Sequence, residues 1–340
     1  MKTGCLMTAA AVIVSISLLG TPVHAAKCDR QCLVRMMPDY LVDTAKHDPK
    51  AVPFAADVKF TENSDKTIER LQLGKGLWQT ASAGPSNFAI YAADPKLQSV
   101  ACLAMMKEND KDIYLGARLK LEKGKIAEAE HIVFRGSTHK GTLEKPRREL
   151  LEDVPKNERM KHDQLAKIGT THDVALTGAD GTLAPMAKDC ERHGNGMITA
   201  GGNPVPKAKP IPTGAKPNPE MEKIAHSMAA FPRDGTGQTS TGTFAYITEG
   251  KPRRMVVADE QKGLAVGFSM SDHTGDLKVQ KFTGVPGITE MPAPSQRFNP
   301  PAVHFFKIRK GQLHEMEAIG VSLPYGTLSG WETPENMNVR

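Results

Sequence analysis

The stretch "GKIAEAEHI" occupies Gly124–Ile132, and "GQLHEMEAI" occupies Gly311–Ile319. Both read G-x-apolar-x-E-x-E-x-I. Each follows a strand-like segment that ends in a basic residue, "ARLKLEK" in the first case and "HFFKIRK" in the second. Alternation with a period of two predicts β-strands, and a glycine between two such runs predicts a turn. The chain therefore carries the same predicted hairpin twice.

Two further matches occur in the same order along the chain. "VPFAADVKFTEN" (52–63) aligns with "APMAKDCERHGN" (184–195), and the Ala-Asp of "IYAADPKL" aligns with that of "VVADEQKGL". The separation between matched residues grows along the chain, so the second copy carries insertions. These are the Pro-rich segments 201–219 and 283–301, which are either lids or disordered surface loops.

Each copy begins with a helical segment, and strands follow it. "CLVRMMPDYLVDTAKHD" (Cys32–Asp48) places apolar residues on one helical face, although Pro38 is expected to break or kink the helix. The counterpart before the second copy is noisier and contains Pro155. Helices followed by an antiparallel sheet predict an α+β fold with the helices on one face.

This order, together with the ending G-x-I-x-E-x-E, resembles the nuclear-transport-factor-2-like superfamily, which includes ketosteroid isomerases and SnoaL-type polyketide cyclases. The blocks that carry the resemblance are "HDPKAVPFAADVKFTEN", "LGKGLW", "DCERHGNG", "VADEQKGL" and "PYGTLSGW". The resemblance implies two tandem cone-like domains, residues 27–136 and 146–335, each a curved antiparallel sheet wrapped by N-terminal helices. It also implies an apolar cavity in a cone and pairing of the outer sheet faces, here as a pseudo-dimer in cis. Further homo-oligomerisation is left open.

Residues 1–25 have the pattern of a secretory signal peptide. Lys2 precedes an apolar run (6–20), and "VHA" (23–25) has the small residues of a cleavage site. No second long apolar run follows, so we predict a periplasmic or secreted protein without a membrane span. Four cysteines remain after cleavage, which allows three pairings, and we favour structural disulfides over buried free thiols. They are Cys28, Cys32, Cys102 and Cys190.

The formal net charge of +6 is spread over 44 basic and 38 acidic residues. No basic block is interleaved with aromatic residues, so no nucleic-acid partner is predicted. The sequence contains no G-x-S-x-G, H-E-x-x-H, P-loop or G-x-G-x-x-G motif. These absences disfavour serine hydrolases, zinc proteases and nucleotide-dependent enzymes, and we predict neither a cofactor nor a metal.

Acid–base chemistry needs titratable groups, and the second copy is richer in histidine. The first copy offers Glu62, Trp78, Arg118 and His131. Where the first copy reads "FTEN", the second reads "RHGN", which introduces a candidate base beside a glycine. We therefore place the site in the second copy. The predicted catalytic residues are His193, His304, Asp272, His273 and Tyr325, and the predicted substrate contacts are Asn195, Phe306 and Trp331.

Each candidate also has a structural interpretation. A histidine on an apolar strand face is often a satisfied core residue, and Trp331 is suited to packing of the C-terminal tail. The glutamates of the two hairpins line either a cavity, an interface or a polar stripe. The predicted function is an exported, cofactor-independent lyase, isomerase or dehydratase that acts on a small apolar, aromatic molecule. By analogy with superfamily relatives, formaldehyde elimination from a lignin-derived aromatic dimer is an example. The alternative is a non-catalytic module that binds an apolar ligand or a protein.

Overall fold

The computed structural model describes residues 27–63, 66–136, 142–201, 231–232 and 234–334. The predicted signal peptide and most of the insertion at 201–219 lie outside these ranges. Helices are α1 (Arg30–Ala45), α2 (Leu77–Thr80), α3 (Arg148–Leu151), α4 (His162–Gly178) and α5 (Gly235–Ser240), with short 3₁₀ turns at Lys156–Glu158 and Gly181–Leu183. None of the helices within the described ranges is long and apolar enough to span a lipid bilayer.

The strands of the first half are β1 (Phe54–Asn63), β2 (Ile68–Leu71), β3 (Ala81–Ala83), β4 (Ala89–Asp94), β5 (Ser99–Glu108), β6 (Lys111–Glu122) and β7 (Lys125–Phe134). Those of the second half are β8 (Met186–Gly194), β9 (Met197–Ala200), β10 (Glu249–Asp259), β11 (Leu264–Asp272), β12 (Val279–Lys281), β13 (Glu290–Pro292), β14 (Phe298–Asn299), β15 (Pro301–Arg309), β16 (Gln312–Gly320) and β17 (Leu323–Pro324). The fold is mixed α+β with few helices. The second insertion contributes β13 and β14 to small two-stranded ladders.

Helix α1 runs without interruption through Pro38, so of the two expected effects, a break or a kink, the break does not occur. The helix begins at the N-cap Asp29, whose carboxylate accepts a hydrogen bond from the Cys32 amide at 2.8 Å. Its buried side chains, among them Met37 and Tyr40, pack on the first sheet. Packing of this amphipathic face compensates for the hydrogen bond that the proline cannot make.

The two large sheets have the same strand order. The first runs β2-β1-β7-β6-β5, where β5 pairs with both β4 and the additional short strand β3, and the second runs β9-β8-β16-β15-β11-β10. The two predicted hairpins are β6-β7 and β15-β16. Both turn through a Lys-Gly pair with positive φ at each residue, Lys123-Gly124 and Lys310-Gly311. Positive φ at two successive residues is the geometry of the type I′ hairpin turn.

Neither large sheet is wholly antiparallel, which corrects the sequence prediction. β1 pairs in parallel with β7, and β8 pairs in parallel with β16. Hairpins fix the direction of neighbouring strands, but the partner of the first strand in each half is the last strand. Alternation of side chains shows which face of a strand is buried and not the direction of its partner, so the sequence pattern could not reveal this pairing.

The same side chain ties the end of the first strand to the last strand in both halves. Asn63 bonds the amide and carbonyl of Val133, and Asn195 bonds the amide and carbonyl of Gly320. Each asparagine is the last residue of one of the two aligned sequence blocks, 52–63 and 184–195. Both pairs satisfy backbone groups where the ladder ends.

The two large sheets pack face to face through one apolar cluster. Its members come from both halves and include Phe88, Ile90, Leu103 and Ile132 of the first and Val266, Phe268, Val303, Phe305 and Ile319 of the second. A Cβ added at Gly116 would collide with Val303, so the glycine allows close approach of the sheets. The opposite face of the first sheet packs on α1, and the opposite face of the second packs on α4.

Two aspartates exchange hydrogen bonds between the halves. Asp94 caps its own turn at the amides of Lys96 and Leu97 and accepts from the Ala258 amide across the interface at 2.9 Å. Asp259 caps the amides of Gln261 and Lys262 and accepts from the Ala93 amide at 3.1 Å. The first residue of each helix completes the exchange, since Arg30 pairs with Asp259 and His162 with Asp94.

Removal of the Asp259 carboxylate should destabilise the fold strongly. Asp259→Ala leaves Arg30 without its partner and leaves the buried Ala93 amide unsatisfied, so we expect a loss of about 3 kcal/mol in the free energy of unfolding. Urea denaturation measures it. Asp112→Ala, in the exposed Lys107–Asp112 pair, is the control and should change stability little. A loss in Asp259→Ala no larger than in the control would contradict this account.

Candidate functional site

His304 lies on the face of the second sheet that packs on α4. It stands opposite Gly267 on β11 and Ala318 on β16, and Ala318 stands opposite Gly194 on β8. Directly opposed residues share a face of the sheet. Small residues surround the imidazole on this inner face, and we call the set the inner patch: Gly194, Ser269, Ala302, Ala318 and Gly320. A Cβ added at Gly320 would meet no atom within 4 Å.

The environment of His304 keeps its imidazole neutral and reachable. The side chain is partly exposed, and within the described part of the chain neither ring nitrogen has a hydrogen-bond partner. Burial, followed by the charge of His172, lowers the pKa of His304 to about 4; Asp173 opposes the shift and Arg192 adds to it. His304 is thus a neutral base at pH 7.

Helix α4 supplies the neighbours of His304. The His172 ring lies 5.1 Å from the His304 ring, centroid to centroid, and its Nε2 is buried without a hydrogen-bond partner in the described structure. His172 Nδ1 lies 3.4 Å from the Asp173 carboxylate. Arg253 on β10 approaches the same helix through a 3.2 Å hydrogen bond to Thr177. Burial alone would raise the pKa of Asp173, but the hydrogen bond with His172 and the electrostatic influence of His304, His172 and Arg253 together lower it.

Arg192 on β8 also faces this side of the sheet, because it stands opposite Met316, which stands opposite Phe306. Its guanidinium donates from Nε to Thr199 Oγ1 at 3.0 Å and from Nη2 to Gln238 Oε1. The same group lies 5.0 Å from the centre of the Phe244 ring. Burial lowers the pKa of Arg192 to about 10.

The corresponding face of the first sheet is filled instead. Glu62 on β1, His131 on β7 and Ala117 on β6 stand in register there. His131 bonds the Tyr40 hydroxyl at 2.8 Å and the Glu62 carboxylate at 3.1 Å. Aromatic rings pack edge-on around this hydrogen-bonded series, namely those of Tyr40, Trp78, Phe54 and Phe60. Burial raises the pKa of Tyr40 well above its usual value, against a hydrogen bond with Trp78.

The second sheet carries Gly194, Ala318 and His304 where the first carries Glu62, His131 and Ala117. The imidazole has moved by one strand, and two large polar side chains have become small. The sequence comparison correctly pointed to lost bulk at Gly194. This exchange leaves His304 partly exposed, whereas His131 is fully buried.

His193, the other histidine of the predicted catalytic set in these strands, lies on the opposite face of the second sheet from His304. It stands opposite Glu317, which stands opposite Phe305, so it points to the interface between the sheets. Its ring contacts Glu191 at 2.6 Å and Glu317 at 3.5 Å. Adjacent residues of a strand face opposite ways, and the match with Thr61 could not show which way was inward.

Acidic side chains of both hairpins line this interface. Glu317 accepts hydrogen bonds from Arg147 and, across the interface, from the Tyr114 hydroxyl of the first half. Glu130 accepts hydrogen bonds from Arg118 of its own half and, across the interface, from Arg254 of the second half. Burial raises the pKa of Glu317 to about 7, although Arg147 opposes the shift. Burial also lowers the pKa of His193 to about 4, with Arg147 adding to it. Of the interpretations open from sequence, the interface is the one the geometry fits.

Asp272, His273 and Tyr325 lie away from His304. The His273 ring is buried between the carbonyl oxygens of Tyr246 and Pro294, at 2.7 and 3.1 Å, which suits a structural role. Asp272, the last residue of β11, accepts a hydrogen bond from Asn299 on β14. Tyr325 is exposed and its ring stacks under Arg297 at 3.9 Å. The structure therefore does not bring these three residues together with the inner patch.

The three predicted substrate contacts have different surroundings. Phe306 is buried and stacks on His304 with 5.6 Å between ring centres, so it adjoins the inner patch. Asn195 holds the end of β16, as described above. Trp331 packs on the first half, where its indole N–H donates to Thr61 Oγ1 at 2.9 Å and Lys59 lies 3.9 Å from the ring centre. Packing of the tail is thus the role that the contacts of Trp331 fit.

Sequence reasoning missed His172, Asp173 and Arg192. A signal existed for His172, because Leu165, Gly169 and His172 follow helical spacing and share the buried face of α4. Arg192 stood inside the quoted block "RHGN" but its direction depended on the unknown register. Among the described side chains, no group of three or more His, Cys, Asp or Glu residues is placed to bind a metal ion.

One of the predicted disulfides is present, between Cys28 and Cys32 at the start of α1, and it fits an extracellular protein. Cys102 and Cys190 are buried free thiols. Cys102 faces the α1 side of the first sheet and Cys190 the α4 side of the second, so they belong to different cores. This separation explains why they cannot pair.

Comparison with known proteins gives limited similarity. Residues 158–320, just under half of the chain, match a family model described as a domain of unknown function, DUF8021. The chain is also similar to a solved structure described as "a putative polyketide cyclase" from Silicibacter sp. TM1040, with 13% identity, 51% of this chain and 95% of the other covered, and a TM-score of 0.23. No curated protein matches the chain. A match at that TM-score carries no conclusion about fold or activity.

The buried thiols should react only after unfolding. Burial raises the pKa of Cys102 and of Cys190 to about 12, so little thiolate exists at neutral pH. Iodoacetamide should label neither residue in the folded protein and both in unreduced, denatured protein, while Cys28 and Cys32 should be labelled only after reduction. Peptide mass mapping separates the sites. Labelling of Cys28 without reduction would contradict the disulfide.

The protonation of His304 should be visible in its pH dependence. Its folded pKa of about 4 lies below the unfolded value of about 6.5. The contribution of His304 to stability is therefore complete above pH 6.5 and is lost as pH falls toward 4. In an NMR titration, the ring signal assigned through His304→Gln should have its midpoint below pH 5. A midpoint near 6.5 would show that the ring is not desolvated.

Proposed function

We propose that the chain consists of two copies of one cone-shaped α+β unit, residues 27–136 and 146–335, that form a pseudo-dimer within one polypeptide. Equal strand orders, equivalent asparagine bridges and the reciprocal aspartates support this proposal. The match to DUF8021 at residues 158–320 falls within the second unit. In this arrangement the outer sheet faces cover each other, and each inner face packs on its own helix.

We further propose that the second unit catalyses proton transfer on a small molecule without a cofactor, as a lyase, isomerase or dehydratase. The observation that carries this proposal is His304, a neutral and partly exposed imidazole without a hydrogen-bond partner in the described structure. A core histidine that serves packing is normally hydrogen-bonded. An unpaired neutral imidazole is ready to accept a proton from a bound substrate.

The neighbours of His304 suit the charge changes of such a step. When His304 accepts a proton, the carboxylate of Asp173 favours the new positive charge. The negative charge that develops on the substrate lies on the side of the sheet where Arg192 and Arg253 are located. A base with a low pKa needs this electrostatic help, because it removes a proton weakly on its own. Phe306 gives the site an apolar wall.

The substrate proposed from the resemblance is an aromatic molecule, with formaldehyde elimination from a lignin-derived dimer as the specific example. There the base takes the proton of the primary alcohol and the carbon–carbon bond breaks to release formaldehyde. The electron pair of that bond forms a carbon–carbon double bond to the neighbouring carbon, from which a leaving group departs with its own bonding electrons. His304 would accept that proton. The proposal also retains export of the mature chain, which the Cys28–Cys32 disulfide supports.

The test is turnover in matched variants. Formaldehyde release from a panel of aromatic dimers, together with solvent deuterium exchange into aryl ketones, covers elimination and isomerisation. His304→Gln should lower turnover by about 10²- to 10⁴-fold, the range for a positioned base, while the melting temperature stays within a few degrees. His314→Gln, a histidine paired with Asp189 near the surface, is the control.

His193→Gln separates the two faces of the second sheet. We expect turnover close to wild type, since His193 faces the interface between the sheets. Loss of turnover in His193→Gln with retention in His304→Gln would move the site to that interface. Binding of the aromatic compounds with no turnover in the wild-type protein would favour the alternative, a ligand-binding module.

A further inference from the structure

Arg192 is a buried cationic side chain that lacks a carboxylate partner among the described residues. It is 7% exposed, and it contacts no carboxylate among the described residues. Its hydrogen-bond acceptors, Thr199 and Gln238, are both neutral, and the third neighbour is the Phe244 ring. A buried guanidinium without a counter-ion is expensive, because its lost hydration is not replaced by an opposite charge.

Three other enclosed arginines have carboxylate partners, whereas Arg253 on the same face donates to the neutral Thr177 hydroxyl. Arg118 pairs with Glu128 and Glu130, and Arg147 pairs with Glu191, Glu315 and Glu317. Arg254 forms a salt bridge with Glu130 across the interface at 2.6 Å. At the interface between the sheets, the fold thus supplies carboxylates to Arg118, Arg147 and Arg254. The lack of one at Arg192 needs a different explanation.

The position of Arg192 offers that explanation. It shares the inner face with His304, and it belongs to the strand that contributes Gly194 to the inner patch. Two of its nitrogens, Nε and Nη2, are held by Thr199 and Gln238, which fixes the plane of the group, and Nη1 makes no hydrogen bond to a described residue. A guanidinium oriented in this way is ready to donate to an oxygen anion.

We infer that the site around His304 takes a substrate that carries a carboxylate, and that Arg192 binds this carboxylate. The inference rests on the proposed function for the location of the chemistry and adds the chemical class of the substrate. Phe244 and Phe306 are apolar neighbours of the two functional groups. The class is therefore a small aromatic or apolar carboxylic acid, whose acid group is set on Arg192 and whose reacting hydrogen faces His304.

The pairing also couples binding to the strength of the base. Arg192 is one of the charges that lower the pKa of His304 in the empty site. A bound carboxylate neutralises that charge, so the pKa of His304 rises when the acid binds. The substrate would thereby make its own base more effective, whereas a neutral analogue would leave the pKa near its value in the free protein.

Binding of unreactive probes tests the inference without turnover. Benzoate, 3-phenylpropionate and 4-phenylbutyrate are compared by titration calorimetry with their methyl esters. At least one acid should bind ten- to a hundredfold more tightly than its ester, the range expected for one charge-assisted hydrogen-bonded pair. Arg192→Met should abolish this preference, and Arg192→Lys should retain part of it. The tightest acid should raise the NMR midpoint of His304.

Arg254→Met is the matched control, since that arginine has a carboxylate partner. It should keep the preference for the acid but lower the melting temperature. Arg192→Met should leave the melting temperature of the free protein unchanged or higher, because it removes an unpaired buried charge while Gln238 and Thr199 each keep a bond to backbone oxygen.

Three results would overturn the inference: no acid binds more tightly than its ester, the preference survives in Arg192→Met, or Arg192→Met destabilises the free protein as much as Arg254→Met does. The last result would mean that Thr199, Gln238 and Phe244 suffice to hold a structural arginine. Acid binding that depends on Arg192, combined with full turnover in His304→Gln, would retain this inference and reject the proposed base.

Discussion

The reciprocal exchange between Asp94 and Asp259 is the interaction on which the arrangement of the two halves depends. Each carboxylate caps its own turn and also accepts an amide proton from the opposite half. The apolar cluster between the sheets supplies most of the stabilisation, but apolar contact does not fix the register of two sheets. The aspartates do, because their oxygens have directional partners on both sides. Arg30 and His162 extend this control to the starts of α1 and α4.

With the outer faces used for pairing, the chemistry of each half is limited to its inner face. The first inner face is closed by Tyr40, Trp78 and the bonded pair His131 and Glu62. The second has small residues at the equivalent positions and a histidine on the next strand. A filled core favours stability, and small residues beside an unpaired imidazole leave that imidazole available for function. The helix-covered faces of the two sheets thus differ, and the difference arises from a few side chains in one row of each sheet.

Much of this architecture could be predicted from the sequence. The duplicated hairpin, the aligned asparagines and the aligned Ala-Asp turns all correspond to equivalent positions in the structure. The mixed strand directions could not be predicted, because alternation of polar and apolar side chains is the same for parallel and antiparallel partner strands. The continuous helix through Pro38 also could not, since tertiary packing outweighed a local preference.

The candidate site was predicted in part. A period of two along β15 puts His304 and Phe306 on one face, as the structure has them. The direction of His193 could not be derived in the same way, because a sequence match fixes the equivalent residue and not its inward direction. His172 required knowledge of which helix covers the sheet. Arg192 could be identified only from the charges around its buried guanidinium, and those neighbours are known only from the structure.

Because the two large sheets belong to one polypeptide, their association does not depend on the concentration of the protein. Two separate chains that associate through such faces would come apart on dilution, and the exposed apolar faces would then adhere to other surfaces. When both faces belong to one chain, the connecting segment keeps the local concentration of one half near the other at a millimolar level or higher. The interface therefore survives at any dilution of the protein, and each half remains free to change its own inner face without having to match an identical partner.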